Sequence, residues 1–145
     1  MLYTFCTIKV SIFYNKTLTS INITGWTNKN VGSMENMFNS CSSLASLTLS
    51  DFNTSKVINM AQMFRECVYL GQLDLSSFNT SHVTNMQVMF GNCFALNTLN
   101  ISNWDTSSVN ETTSMFVNCT SLTKIIAESA NLKGIQSVLP RVPEK

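Results

Sequence analysis

Four cysteines recur at a fixed interval of 26 residues, and their side chains are the first candidates for chemistry in this chain. Thiolates bind zinc and copper(I), but metal sites usually draw cysteines from close pairs such as C-x-x-C, and no such pair occurs here. A disulfide needs Cα atoms within about 7 Å, which the usual separation of packed helices, about 8–10 Å, makes marginal. We therefore predict free, buried thiols that act as small apolar side chains. The four residues are Cys41, Cys67, Cys93 and Cys119.

Paired methionines and a single histidine are the next candidates for binding a metal. Thioethers are soft ligands for copper(I), but methionines that share a stripe with valine and phenylalanine more often pack a core, and we favour the core. The chain has one histidine, which excludes any site built on two imidazoles. This residue, His82, stands where other copies have Lys56 and Ser108, so we expect it to be exposed and assign it no catalytic role. The methionine pairs are Met34 with Met37, Met60 with Met63, and Met86 with Met89.

Sequence patterns typical of catalysis are missing from the chain. It contains neither a G-x-S-x-G nucleophile motif nor a G-x-x-x-x-G-K-[ST] phosphate loop. The carboxylates Asp51, Asp74 and Asp105 occupy different positions or faces of the repeat, so they do not suggest an acid/base pair. We predict that the protein is not an enzyme and needs no cofactor.

The charge and the hydropathy pattern exclude further classes of partner. The formal net charge is +1 and only 12% of the residues are charged, whereas nucleic acids and acidic lipids are bound by clustered Lys and Arg. No apolar run approaches the ~18 residues of a membrane-spanning helix. Residues 1–10 lack the basic start and unbroken apolar core of a signal peptide. We expect no nucleic-acid partner and no membrane insertion by this chain, in which no signal peptide or anchor is visible.

A repeat of 26 residues organises the chain and gives these side chains their positions. Each unit can bury its apolar side only against a neighbouring unit, so the pattern predicts a solenoid. Its columns include Trp26, Phe52, Phe78 and Trp104; Val31, Val57, Val83 and Val109; Met37, Met63, Met89 and Met115; and Phe38, Phe64, Phe90 and Phe116.

Two apolar spacings alternate within each repeat. Leu70, Leu73 and Leu75 form an L-x-x-L-x-L segment, which is typical of the strand of a leucine-rich repeat. Residues 57–67 place their apolar side chains mainly three apart, as on one stripe of a short helix. The sequence thus predicts an α/β, leucine-rich-repeat-like solenoid with parallel strands on one face and short helices on the other. Phe52, Phe78 and Trp104 are expected to fill the corner between strand and helix.

The repeat divides the chain into three predicted segments. Residues 1–17 form a degenerate N-terminal capping repeat, and residues 18–127 form about four stacked leucine-rich-type repeats. Residues 128–145 form a degenerate C-terminal cap or tail, in which Pro140 and Pro143 stop regular structure. Open solenoid ends also allow dimerisation, and the sequence leaves the oligomeric state undecided.

The side chains between the strand leucines point away from the core and form the candidate binding face. This face is polar and nearly uncharged, which suits hydrogen-bonded contact with a protein or a carbohydrate. The alternative is a solvated surface on a passive structural or antigenic spacer. The predicted residues are Ser46, Thr48, Ser50, Gln72, Asp74, Ser76, Thr98, Asn100, Ser102 and Lys124.

The repeat resembles that of BspA-like leucine-rich repeat surface proteins, in the branch noted in mycoplasma surface proteins. The shared pattern is F/W-N/D-T-S-x-V-x-N-M-x-x-M-F-x-x-C-x-x-L-x-x-L-x-L, almost unaltered at residues 52–75 and 78–101. The resemblance covers roughly residues 18–127. It implies a secreted or cell-surface protein that presents a solenoid for adhesion to other proteins or cells, and it implies no enzyme.

Overall fold

Parallel strands, one in each repeat, line one side of the protein. The computed structural model describes residues 15–24, 30–50 and 52–141. Strands β1 and β2 pair in one sheet, and β3, β4 and β5 follow in that order in a second sheet, with every pair parallel. The predicted parallel strands are therefore confirmed. They are β1 (Ser20–Asn22), β2 (Ser46–Thr48), β3 (Gln72–Asp74), β4 (Thr98–Asn100) and β5 (Lys124–Ile126).

The strand register places each residue beside its equivalent in the next repeat. Leu73 lies opposite Leu99, which lies opposite Ile125. The two leucines are buried and Ile125 is half-buried, because the central residue of each three-residue strand points inward. One 26-residue repeat is thus one layer of the solenoid, which we call a rung.

No helix occurs in the part of the chain that the structure describes, so the prediction of short helices is wrong there. The segment predicted to be helical is a series of tight turns, in which Met37, Asn39 and Cys41 donate their amides to the carbonyls three residues earlier. Asn36 and Ser40 have left-handed backbone conformations, with φ of 61° and 60°. Such residues interrupt a right-handed helix. We call residues 34–41 and their equivalents 60–67, 86–93 and 112–119 the turn side.

The alternate amides of the turn side, between those that bond within the turns, donate to carbonyls of the next rung. Asn36 donates to the carbonyl of Ala61, Phe38 to Met63, and Ser40 to Arg65, at 2.8–3.0 Å. The same three bonds join the next two pairs of turn sides. In a helix these amides would bond to carbonyls four residues earlier in the same segment. The tight turns still direct the apolar residues inward, as the buried Val57, Met60, Met63, Phe64 and Cys67 show.

Identical side chains stack along the core because every rung has the same path. The rings of Phe38 and Phe64 are 5.5 Å apart, those of Phe64 and Phe90 5.8 Å, and those of Phe90 and Phe116 5.2 Å. The predicted corner residues Phe52, Phe78 and Trp104 are also buried. Trp26 of that column lies outside the described residues. Stacked aromatic rings add to the stability that their burial provides.

Buried threonines provide polar links between successive corners. The hydroxyl of Thr80 donates to the carbonyl of Asp105 and accepts a hydrogen bond from the amide of the same residue, at 2.8 and 2.9 Å. Thr54 makes the same pair of bonds with Asn79. These bonds satisfy polar groups that would otherwise be costly to bury. Thr54 and Thr80 therefore join one rung to the next.

The two predicted terminal segments, residues 1–17 and 128–145, are described by the structure only in part. The N-terminal capping repeat predicted for residues 1–17 lies mainly outside the described residues, which begin at Asn15. In the C-terminal segment, residues 133–138 form turns, and the side chain of Ile135 is buried beneath the last rung.

Replacing Val88 by Asn should stabilise the protein by about 0.5–1 kcal/mol, because a β-branched residue is strained in the left-handed conformation that Val88 adopts, with φ of 52°. Asn36 occupies the equivalent position of an earlier rung. Urea unfolding of the wild type and Val88→Asn measures the difference.

Val117→Asn is the matched control, since Val117 lies on the same side of the solenoid without a positive φ. It should change the stability little. In a helix Val and Asn have similar propensities, so equal effects of the two substitutions would contradict the turn assignment.

Candidate binding surface

Two short rows of side chains on the three-stranded sheet form part of the predicted binding face. Gln72, Thr98 and Lys124 lie side by side at the start of β3, β4 and β5. Asp74 and Asn100 lie side by side at the ends of β3 and β4. All five point away from the core because they flank the inward residue of each strand. The three-stranded sheet thus brings half of the predicted site residues together, and we call these five residues the cluster.

The other predicted residues are less closely associated with this cluster. Ser46 and Thr48 are exposed on β2, which is hydrogen-bonded to β1 and not to β3. Ser50 is also exposed, after the end of β2. The amides of Ser76 and Ser102 bind the side chains of Asp74 and Asn100 at 2.9 and 3.1 Å. These two serines therefore shape the rim of the cluster.

Asp74 is the anionic group of the cluster. Partial burial raises its pKa, but hydrogen bonds from Ser76 and from Asn100 outweigh this effect, so that the pKa lies below its ordinary value. The side-chain amide of Asn100 donates to one carboxylate oxygen at 3.1 Å, and the amide of Ser76 donates to the other. Asp74 is consequently ionised and held in one orientation at neutral pH.

Gln72 and Lys124 are the groups of this surface best placed to meet a partner. Both are exposed, and within the described residues neither side chain makes a hydrogen bond or an ion pair. By contrast, Asn100 uses both ends of its amide, toward Asp74 and Ser102. The cluster therefore combines an oriented carboxylate with an unused amide and an unused ammonium group.

Two exposed aromatic residues shortly before the strands of this sheet were missed by the sequence reasoning. Tyr69 is 67% exposed and Phe94 is 46% exposed. They precede β3 and β4 by a few residues, on adjacent rungs that are joined by a bond from the amide of Ala95 to the carbonyl of Val68. The repeat pattern does not predict them, since Ser43 stands at the position equivalent to Tyr69 and Ser42 at the position equivalent to Phe94. A large aromatic residue in a column of small ones was the available signal.

A shallow groove continues the surface beyond the ends of β3 and β4. Its walls include Ser76, Asn79, Asn103 and Asp105. Asn103 donates its side-chain amide to the carbonyl of Ser76 across the two rungs. The pKa of Asp105 is lowered, chiefly by hydrogen bonds from Ser107. The groove offers hydrogen-bonding groups in fixed positions.

The cysteine column is part of the core, as the sequence predicted. Cys67 and Cys93 are free and buried, Cys119 is free and half-buried, and Cys41 is buried as well. The thiol of Cys67 donates to the carbonyl of Phe38 at 3.2 Å, and the same contact recurs at Cys93 and Cys119. Among the described residues, no group of three His, Cys, Asp or Glu side chains could hold a metal ion.

The other candidate metal ligands also have the positions that the sequence predicted. All six paired methionines are buried in the hydrophobic core. His82 is exposed, and its Nδ1 lies 3.2 Å from the hydroxyl of Ser81.

The repeat thiols should resist modification in the folded protein and should make folding sensitive to alkali. Burial raises the pKa values of Cys67 and Cys93, and raises that of Cys119 to about 11. Since the thiolate is the reactive form, a Cys6→Ser variant should react slowly near neutral pH, first at Cys119. Thiol titration with and without denaturant measures this, and rapid native labelling of all four thiols would contradict it.

The pH dependence of stability has a defined sign. These thiols have higher pKa values in the folded state, so the unfolded chain releases its thiol protons first as the pH rises above about 9. Stability should therefore fall in alkali. Cys93→Ala should reduce the slope of this loss, measured by urea unfolding between about pH 7 and about pH 10. An unchanged slope would contradict the assignment to the thiols.

Comparison with known proteins gives a family. The family model described as a Mycoplasma protein of unknown function, DUF285, matches residues 8–130, which include all five strands and all four turn sides. Searches of curated proteins and of solved structures gave no significant match. No helix able to cross a membrane is found in the described part of the chain. The match agrees with the predicted mycoplasma-type repeat without being specific to BspA-like proteins, and the chain belongs to the DUF285 family.

Proposed function

We propose that this chain is a non-catalytic binding module of a cell-surface protein, and that it binds a partner protein through the three-stranded sheet and the exposed Tyr69 and Phe94. The observation that carries the proposal is the exposure of these two aromatic residues a few positions before β3 and β4, the strands that carry Gln72 and Asp74 in the sheet shared with Lys124. The surface location is supported by the DUF285 family and by the resemblance to BspA-like leucine-rich repeat surface proteins.

The aromatic residues favour binding over a passive spacer. Inner aromatic residues such as Phe64, Phe78 and Phe90 are buried completely or nearly so, whereas Tyr69 and Phe94 are exposed. Tyrosine is among the residues that contribute most to binding in protein interfaces.

The polar cluster favours a specific protein partner. Asp74 and Lys124 carry opposite charges and lie on the first and last strands of one sheet. A partner with complementary charges would be oriented by them, while Tyr69 and Phe94 would provide apolar contact area. The surface is open rather than enclosed, which suits a folded partner better than a small molecule.

The test is a binding screen with a matched pair of variants. The wild-type chain is screened against host-matrix and cell-surface proteins, with a glycan array beside them. The surface variant carries Tyr69→Ala and Gln72→Arg, which change two exposed side chains without hydrogen bonds in the described structure. The control variant carries Ile58→Ala and Asn110→Arg, at exposed positions outside the strands.

All three proteins should have the same melting temperature. We expect the surface variant to bind a protein ligand at least about tenfold more weakly than wild type, or ~1.4 kcal/mol, and the control to bind normally. Equal binding by both variants would place the site elsewhere. Binding only to glycans would contradict the protein partner, and no binding at all would favour the structural or antigenic spacer.

A further inference from the structure

The strand side of the solenoid is interrupted between β2 and β3. At the other junctions, the amide after one strand donates to the last carbonyl of the next strand, as Ile23 does to Thr48 and Leu75 to Asn100, both at 2.9 Å. Within the described residues, the equivalent amide of Leu49 makes no hydrogen bond, and no strand pairing joins β2 to β3. We call this junction the seam.

The backbone before β3 is unpaired in the same way. Before the neighbouring strands, Ala45 donates its amide to the carbonyl of Thr19, and Asn97 donates to that of Gly71, both at 2.8 Å. The equivalent bond across the seam would run from the amide of Gly71 to the carbonyl of Ala45, and it is absent from the described part of the chain. β2 and β3 also approach each other less closely than the other neighbouring strands do. The seam is therefore open at both ends of the strands.

The burial of the strand residues supports an open seam. Leu47 is the central residue of β2, and its equivalents Leu73 and Leu99 are 3% and 0% exposed. Leu47 itself is only half-buried, as are Ile21 and Ile125 in the first and last described strands. A central strand residue with a closely packed rung on each side is expected to be buried. Leu47 thus has the exposure of a residue at an end of the solenoid, although its strand lies between two others.

The turn side joins the same two rungs closely. The amides of Asn36, Phe38 and Ser40 all donate across this junction, at 2.8–3.0 Å. The hydroxyl of Ser40 also donates to the carboxylate of Glu66 at 2.9 Å, and the rings of Phe38 and Phe64 stack 5.5 Å apart. A junction that is bonded along one side and open along another can rotate about the bonded side, which is the geometry of a hinge.

We propose that the seam is a hinge, about which the rungs of β1 and β2 tilt relative to the rungs of β3, β4 and β5. The turn sides at 34–41 and 60–67 are the pivot, and tilting changes the width of the gap between β2 and β3. The other strand junctions could open only by breaking their hydrogen bonds. The seam also divides the predicted binding face, so Ser46 and Thr48 move relative to the cluster. The hinge follows from backbone bonding and does not depend on the proposed function.

Residual dipolar couplings of the backbone amides test the hinge on the full chain in solution. Two parts that tilt against each other require two alignment tensors, one for each side of the seam. The bridged variant carries Ala45→Cys and Gly71→Cys, whose disulfide would hold the seam closed, and Gly71 has space for a side chain and no positive φ. The control variant carries Asn97→Cys and Thr123→Cys, at the equivalent positions of the bonded junction between β4 and β5. Both are made in a Cys6→Ser background, and mass spectrometry confirms the disulfides.

We expect the wild type to require two alignment tensors, with smaller couplings in the rungs of β1 and β2 because tilting averages them. The bridged variant should fit one tensor, and the control variant should still require two. A wild type that fits one tensor would overturn the proposal. So would two tensors in the bridged variant, because the motion would then lie outside the seam. If the disulfide of the bridged variant does not form, the couplings of the wild type alone decide.

Discussion

Hydrogen bonds between the backbones of successive rungs are the constraint on which this structure depends. They join the strands, the corners and the turn sides, always between equivalent parts of neighbouring repeats. A polar backbone can be buried in a rung only if the rung beside it follows the same path. The fixed register then places like side chains on each other, which explains the stacked rings of Phe38, Phe64 and Phe90 and the buried cysteine column.

The same constraint separates the residues that maintain the fold from those available for binding. A column that points inward must keep its size and its apolar character, because each member packs on the next. A column that points outward has no such requirement. Tyr69, Phe94 and Lys124 stand at outward positions where other rungs have different residues. Differences between repeats, more than the repeats themselves, therefore define the candidate binding surface.

Backbone direction is the same in the described rungs. Amides of the turn sides at residues 34–41, 60–67 and 86–93 bond to carbonyls of the following rung. The pairing of β5 with β4 and the buried Ile135 complete the strand side of the last described rung. Each rung is therefore held in place mainly by the rung that follows it.

The sequence by itself determined the rungs, the parallel strands and the buried columns. The reason is that residues at the same position of the 26-residue repeat are of like type and are buried alike, as Leu73, Leu99 and Cys67 illustrate. It could not distinguish helix from turn at Val57, Met60 and Met63, since both bring residues three apart to one side. Only the tertiary structure decided this, because the amides of the turn side find their acceptors in another rung. It also decided that Gln72 and Asp74 pair with β4 and not with Ser46 and Thr48, and that Tyr69 is exposed. Pairing and exposure depend on neighbours distant in the chain, which local spacing does not contain.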